Sequence, residues 1–164
     1  MRISKKAVVW ILALTTVGCD RVTKHLASAW LANTPAQSFV MDTVRFEYAE
    51  NTGAFLSLGS GLSDSLRFSI FSFGVGAALL LLLFIAVRQR WSGLPLAGAT
   101  LVLAGGASNL VDRLIHGSVI DFVSIGVAGV RTGIFNVADV AIMIGGLLIV
   151  AGTRERKSTE ARNA

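Results

Sequence analysis

The chain has 164 residues, 53% hydrophobic and only 15% charged, with a formal net charge of +5 and a mean hydropathy of +0.66. Ordinary soluble domains carry roughly 25% charged residues, so this balance excludes that class and points to a single membrane-embedded domain. The basic residues flank apolar runs in short clusters, as topology signals and not as a nucleic-acid surface, and the single cysteine, Cys19, excludes an intrachain disulfide and a cysteine-built metal site.

The first apolar run, residues 7–29, reads as a membrane helix interrupted by Asp20, Arg21 and Lys24. A second reading stays open at this point. The charged opening, short apolar stretch and Val17-Gly18-Cys19 have the layout of a lipoprotein signal with a lipid-modified Cys19, although Thr16 stands where leucine is usual. Asp20 and Lys24 are four apart with the acid first, so they share a face and can pair, or else they anchor the helix at the membrane boundary.

Residues 33–65 are polar enough to leave the membrane. Within them Val44, Phe46 and Tyr48 alternate with Arg45 and Glu47, the period of a half-buried strand. Asn51 and Gly53 signal a turn, and the apolar Phe55, Leu56 and Leu58 after it dip back to the membrane edge.

Residues 66–87 form the second span, closed by Arg88, Arg90 and Trp91. The third, 94–112, has Pro95 near its start and Gly98, Ala104, Gly105, Gly106 and Ala107 for close helix approach. Asn109, Asp112 and Arg113 leave it on one side, with Asp112 and Arg113 expected as a local ion pair. Asp121 falls in the link to the fourth span, 134–152, which holds Asn136 and, five residues in and about 7 to 8 Å below its outer end, Asp139. Residues 153–164 read as a frayed polar tail. The expected fold is therefore an all-α polytopic membrane protein, with four transmembrane helices and a small extracytoplasmic β-containing segment in one domain. Lys and Arg cluster before span one, after span two and after span four, so both termini are expected in the cytoplasm. Asp20, Asn51, Arg113, Asp121 and Asp139 then fall at the outer leaflet.

A carboxyl at membrane depth costs about 2.5 to 3.5 kcal/mol on insertion scales and is usually functional. Two of them converging in a partly dry site cannot easily both ionise, which leaves one acid and one base, a pair suited to amide hydrolysis. Two alternatives stand beside this. Asp139 alone would serve a small proton-coupled transporter or channel subunit, and Asp121 alone would be a turn residue. His116 reads as exposed, and with His25 as its only companion no histidine zinc site is expected.

Five motifs then follow one another: DRVTK at 20–24, NTGAF at 51–55, GGASNLVDR at 105–113, VIDF at 119–122 and FNVAD at 135–139. With them the chain resembles the lipoprotein signal peptidases, the signal peptidase II family of membrane aspartic peptidases. The resemblance implies a catalytic dyad of Asp121 and Asp139, lined by Asp20, Asn51, Gly53, Asn109, Arg113, Asn136 and Ala138. It implies removal of the signal peptide from a prolipoprotein immediately before its diacylglyceryl-modified cysteine, without metal or cofactor. Prolipoproteins and membrane lipids would be the partners of a monomer in the bacterial cytoplasmic (inner) membrane. There are two departures from the family pattern: Phe55 follows Ala54 directly, and Ser108 stands where glycine is frequent. The apolar turn at Phe55 and Leu56 is expected to cover the site as a lid.

Overall fold

The structure is a computed structural model that describes residues 4–52, 63–127 and 130–162. In chain order it comprises α1 (Lys5–Leu31), β1 (Gln37–Phe39), β2 (Val44–Asn51), α2 (Asp64–Ser69), a π-helical turn (Ile70–Gly74), α3 (Val75–Arg88), α4 (Leu94–His116), β3 (Val119–Val127), β4 (Val130–Arg131) and α5 (Val137–Arg162). Gly53 and the Phe55 turn lie outside the described residues.

α4 is the central helix and packs against α1, α3 and α5. Small residues let it do so. A Cβ placed on Gly98 would sit 2.5 Å from the Gly145 carbonyl oxygen, and one on Gly145 would sit 2.6 Å from that of Gly98, so α4 and α5 touch backbone to backbone. Farther along, Gly105 of α4 meets Ala138 of α5, which makes the two helices antiparallel. α1 runs the other way relative to α5. Its Asp20 meets Ser108 and its Lys24 meets Asp112, so α1 and α4 are parallel. α4 ends at Gly117, whose left-handed φ of 75° lets its N–H cap the Arg113 carbonyl.

Among the described residues, three helical stretches are long and apolar enough to cross a membrane: Ile70–Arg88, Leu94–His116 and Val137–Glu155. α1 has the length, at 27 residues, but Asp20, Arg21 and Lys24 interrupt its apolar run. Those charges are not scattered round the helix. Its buried residues Thr16, Asp20, Lys24, Ala27 and Leu31 form one stripe at spacings of three and four.

Three boundaries differ from the sequence expectation. α4 continues past 112 to His116, which keeps Arg113 on the helix. α5 starts at Val137 and continues through the stretch expected to fray, as far as Arg162. The link expected between the last two helices is itself mostly strand, β3, and it completes an antiparallel sheet of order β1-β2-β3-β4. Phe46, Tyr48, Ile120, Val123 and Val137 pack around Ala27, Leu31 and Phe122, which seats this sheet on the end of α1.

The β2–β3 register carries a bulge. Phe46 pairs with Val123 but Ala49 pairs with Asp121, so β2 holds one extra residue between them. A shift of one residue exchanges the faces of a strand. Beyond the bulge Asn51 therefore shares a face with Asp121, where an unbroken register would have put Glu50.

Candidate active site

Asp121 and Asp139 reach one small cavity of about 70 Å³ from two different elements, β3 and the first turn of α5. Among the described residues, Asn51, Asn109, Arg113, Val119, Gly133 and Ile134 also line it. Each aspartate is held by two N–H donors. Asp121 accepts from Asn51 Nδ2 on Oδ2 at 2.9 Å and from Asn136 Nδ2 on Oδ1 at 2.7 Å. Asp139 accepts from Asn109 Nδ2 on Oδ1 at 2.9 Å and from the Asn136 backbone N–H on Oδ2 at 3.1 Å.

Asn136 and Asp139 cap the helix reciprocally. The Asp139 N–H donates to Asn136 Oδ1 at 3.0 Å while the Asp139 carboxylate receives the Asn136 N–H, the two halves of a capping box. This corrects the expected depth of Asp139. Because α5 begins at Val137, Asp139 is its third residue and belongs to the cap, instead of lying a full turn down the helix.

Behind the cavity lies a second polar layer between α1 and α4. Lys24 Nζ donates to Asn109 Oδ1 at 2.6 Å and to Asp112 Oδ2 at 2.7 Å, and forms an ion pair with Asp20 Oδ2 at 2.8 Å. The expected Asp20–Lys24 pair is thus present, but deeply buried. Asp20 Oδ1 accepts the Ala138 N–H at 3.0 Å, which ties α1 to the start of α5. Asp20 and Ala138 therefore support the site from behind and do not line the cavity. Asp112 is bound by Arg21 and Lys24 of α1, so the expectation of a local pair with Arg113 gives way to a pairing across helices.

Burial comes first among the causes that lift the Asp121 carboxyl, to about 6. The Asn51 hydrogen bond opposes that, the Asp139 charge adds to it, and the Asn136 hydrogen bond and Lys24 charge pull back again. Among the described residues no group of three or more His, Cys, Asp or Glu is arranged to hold a metal ion.

Arg21, Ser108 and Asp112 escaped the sequence reading as one unit. A signal was available, since Asp20 and Lys24 on α1 and Ser108 and Asp112 on α4 are both i, i+4 pairs of polar residues within apolar helices.

The family described as signal peptidase (SPase) II matches residues 12–153. A lipoprotein signal peptidase of Syntrophomonas wolfei is 32% identical over 157 residues, covering 94% of this chain and 98% of the relative. One of Chlorobaculum tepidum is 34% identical over 154 residues, covering 88% and 92%. In shape, a bacterial membrane enzyme solved by the in meso method superposes with a TM-score of 0.79 at 23% identity, over 92% of this chain and 90% of that one. That structural likeness shows the fold; the family match and the relatives show that the chain belongs to the signal peptidase II family of membrane aspartic peptidases.

Proposed function

We propose that this chain cuts the signal peptide from prolipoproteins immediately before a diacylglyceryl-modified cysteine, with Asp121 and Asp139 as its catalytic dyad. The observation that carries this reading is the convergence of the two carboxyls on one cavity, with N–H donors on all four of their oxygens. A carboxyl lifted to about 6 suits a pair that still shares one proton in mildly acidic solution, where an ordinary carboxyl has lost its own. The ionised member takes a proton from water, and the resulting hydroxide attacks the scissile carbonyl carbon while the protonated member polarises its oxygen. Collapse of the tetrahedral intermediate breaks the C–N bond as a proton passes to the leaving nitrogen. Asn51, Asn109 and Asn136 aim the carboxyls, and Arg113 adds positive charge at the cavity wall.

The reading includes four spans in the bacterial inner membrane, with both termini cytoplasmic. Two observations support α1 as the fourth span. Trp10 and Trp30 are exposed, at 65% and 69%, and stand about 30 Å apart along the helix, at the separation of two membrane interfaces. The Asp20 and Lys24 charges face α4 and are matched there by buried partners. α1 and α4 run one way and α3 and α5 the other, which suits an even number of crossings. The Asp121 end of the bundle is then the outer leaflet, where a substrate with two acyl chains can approach laterally from the lipid.

The test is incubation of the purified protein with a synthetic diacylglyceryl-modified prolipoprotein peptide, with products read by mass spectrometry. The expected product begins at the lipid-modified cysteine. No cleavage, cleavage at another bond, or equal cleavage of the unmodified peptide contradicts the reading.

A further inference from the structure

Four charged residues, Asp20, Arg21, Lys24 and Asp112, meet on the side of α4 that faces α1. Lys24 donates to Asn109 and Asp112 and forms an ion pair with Asp20, and the two carboxylates keep further lone pairs that need partners. Ser108 and Arg21 supply them. Ser108 Oγ donates to Asp20 Oδ2 at 2.6 Å and accepts from Arg21 Nη2 at 3.1 Å. Arg21 Nη2 also donates to the Ser108 carbonyl at 2.6 Å, and its Nη1 reaches Asp112 Oδ1. Asp20, held this way, receives the N–H of Ala138, the residue directly before Asp139.

We propose that Ser108 and Arg21 form a brace that positions Asp139 from outside the cavity. The Ser108 hydroxyl, oriented by Arg21, fixes the Asp20 carboxylate against the first turn of α5, and the Ala138 N–H passes that constraint to the next residue. Both are positioning residues. Neither lines the cavity, and Ser108 is buried between helices. The departure from glycine at 108 thereby gains a function: glycine would leave Asp20 Oδ2 to Lys24 alone. The inference rests on the proposed dyad for its kinetic consequences, and on geometry alone for the state of the Ala138 amide.

The experiment compares the wild-type chain with Ser108→Ala, Ser108→Gly, Arg21→Gln and the Arg21→Gln/Ser108→Ala double variant. It measures kcat, KM and thermal midpoint on the diacylglyceryl-modified peptide, well below the lowest midpoint. Buried hydrogen bonds to charged groups correspond to about tenfold effects, so each single variant is expected to lose about tenfold in kcat with KM within about twofold. The double variant should be no slower than the slower single, because the two residues act as one unit. Ser108→Gly keeps the experiment decisive if alanine disturbs packing. Unchanged kcat in both folded Ser108 variants, or losses that multiply in the double variant, overturns the brace. Hydrogen exchange at the Ala138 amide needs no substrate and should quicken about tenfold in the Ser108 variants. Unchanged protection there overturns the brace even for a chain that cleaves nothing, whereas an inactive wild type with quickened exchange refutes only the proposed reaction.

Discussion

Asn136 donates its side-chain amide to Asp121 Oδ1 at 2.7 Å, across the gap between β3 and the start of α5. Its backbone N–H meets Asp139 Oδ2 at 3.1 Å, so this one residue touches both carboxyls and caps the helix that carries one of them. Replacement by alanine removes the link and half the cap. Asn136→Ala is expected to lower kcat by on the order of 10²-fold through misplacement of the pair. Loss of the cap should cost about 1 kcal/mol. Initial rates at saturating substrate and a denaturation curve measure the two effects separately.

Asp121 titrates near 6, chiefly because it is buried. A dyad that works with one shared proton must lose activity once that proton leaves, so kcat/KM should fall as pH rises through about 6. Asn51 opposes the lift by donating to Oδ2. Asn51→Ala should therefore move the alkaline limb to higher pH as well as slowing the reaction. A pH–rate profile in which the limb stays put, or moves down, contradicts this assignment.

The same lift has a consequence for stability. The folded carboxyl, raised from 3.8 to about 6, holds its proton more tightly than the unfolded chain does. The stabilisation from this group is complete below about pH 4 and is lost as pH rises through about 6. Asp121→Asn carries no such dependence. Its stability relative to wild type should climb between pH 4 and pH 7 by on the order of 2 to 3 kcal/mol. At every pH a constant penalty offsets part of the gain, because one of the two donors to Asp121 then faces an amide NH₂. Paired denaturation curves at the two pH values read the difference.

Which parts of this architecture were legible in the chain follows from how local each signal is. Three apolar runs announced their helices by length, and Asp20 and Lys24 announced their pair because i, i+4 neighbours share a helix face. β3 was harder to read. Val119, Ile120, Val123, Ile125 and Val127 are a β-branched series, but Asp121, Ser124 and Gly126 break the apolar pattern, and its partner strand lies far back in the sequence. The bulge that turns Asn51 toward Asp121 leaves no trace in local periodicity. Asp112 was assigned to its neighbour Arg113 because adjacency is visible in a sequence, whereas its partners come from α1. The C-terminal run RERKSTEAR reads as polar, yet most of its residues are good helix formers, and α5 continues through it.

Gly98 and Gly145 bring α4 and α5 into backbone contact. Gly145→Val should force the helices apart and cost about 1 to 3 kcal/mol. Gly146→Ala is the control, since a Cβ there meets nothing within 4 Å, and alanine favours the helix by about 1 kcal/mol. Thermal midpoints in one detergent should fall for the first variant and hold or rise for the second.

The dyad itself is tested most directly by Asp121→Asn and Asp139→Asn as separate single variants. Each is assayed on the diacylglyceryl-modified peptide after its fold has been verified by circular dichroism. Loss of cleavage at the lipid-modified cysteine in both folded variants is the predicted result. Cleavage that survives in either one contradicts a mechanism built on the pair.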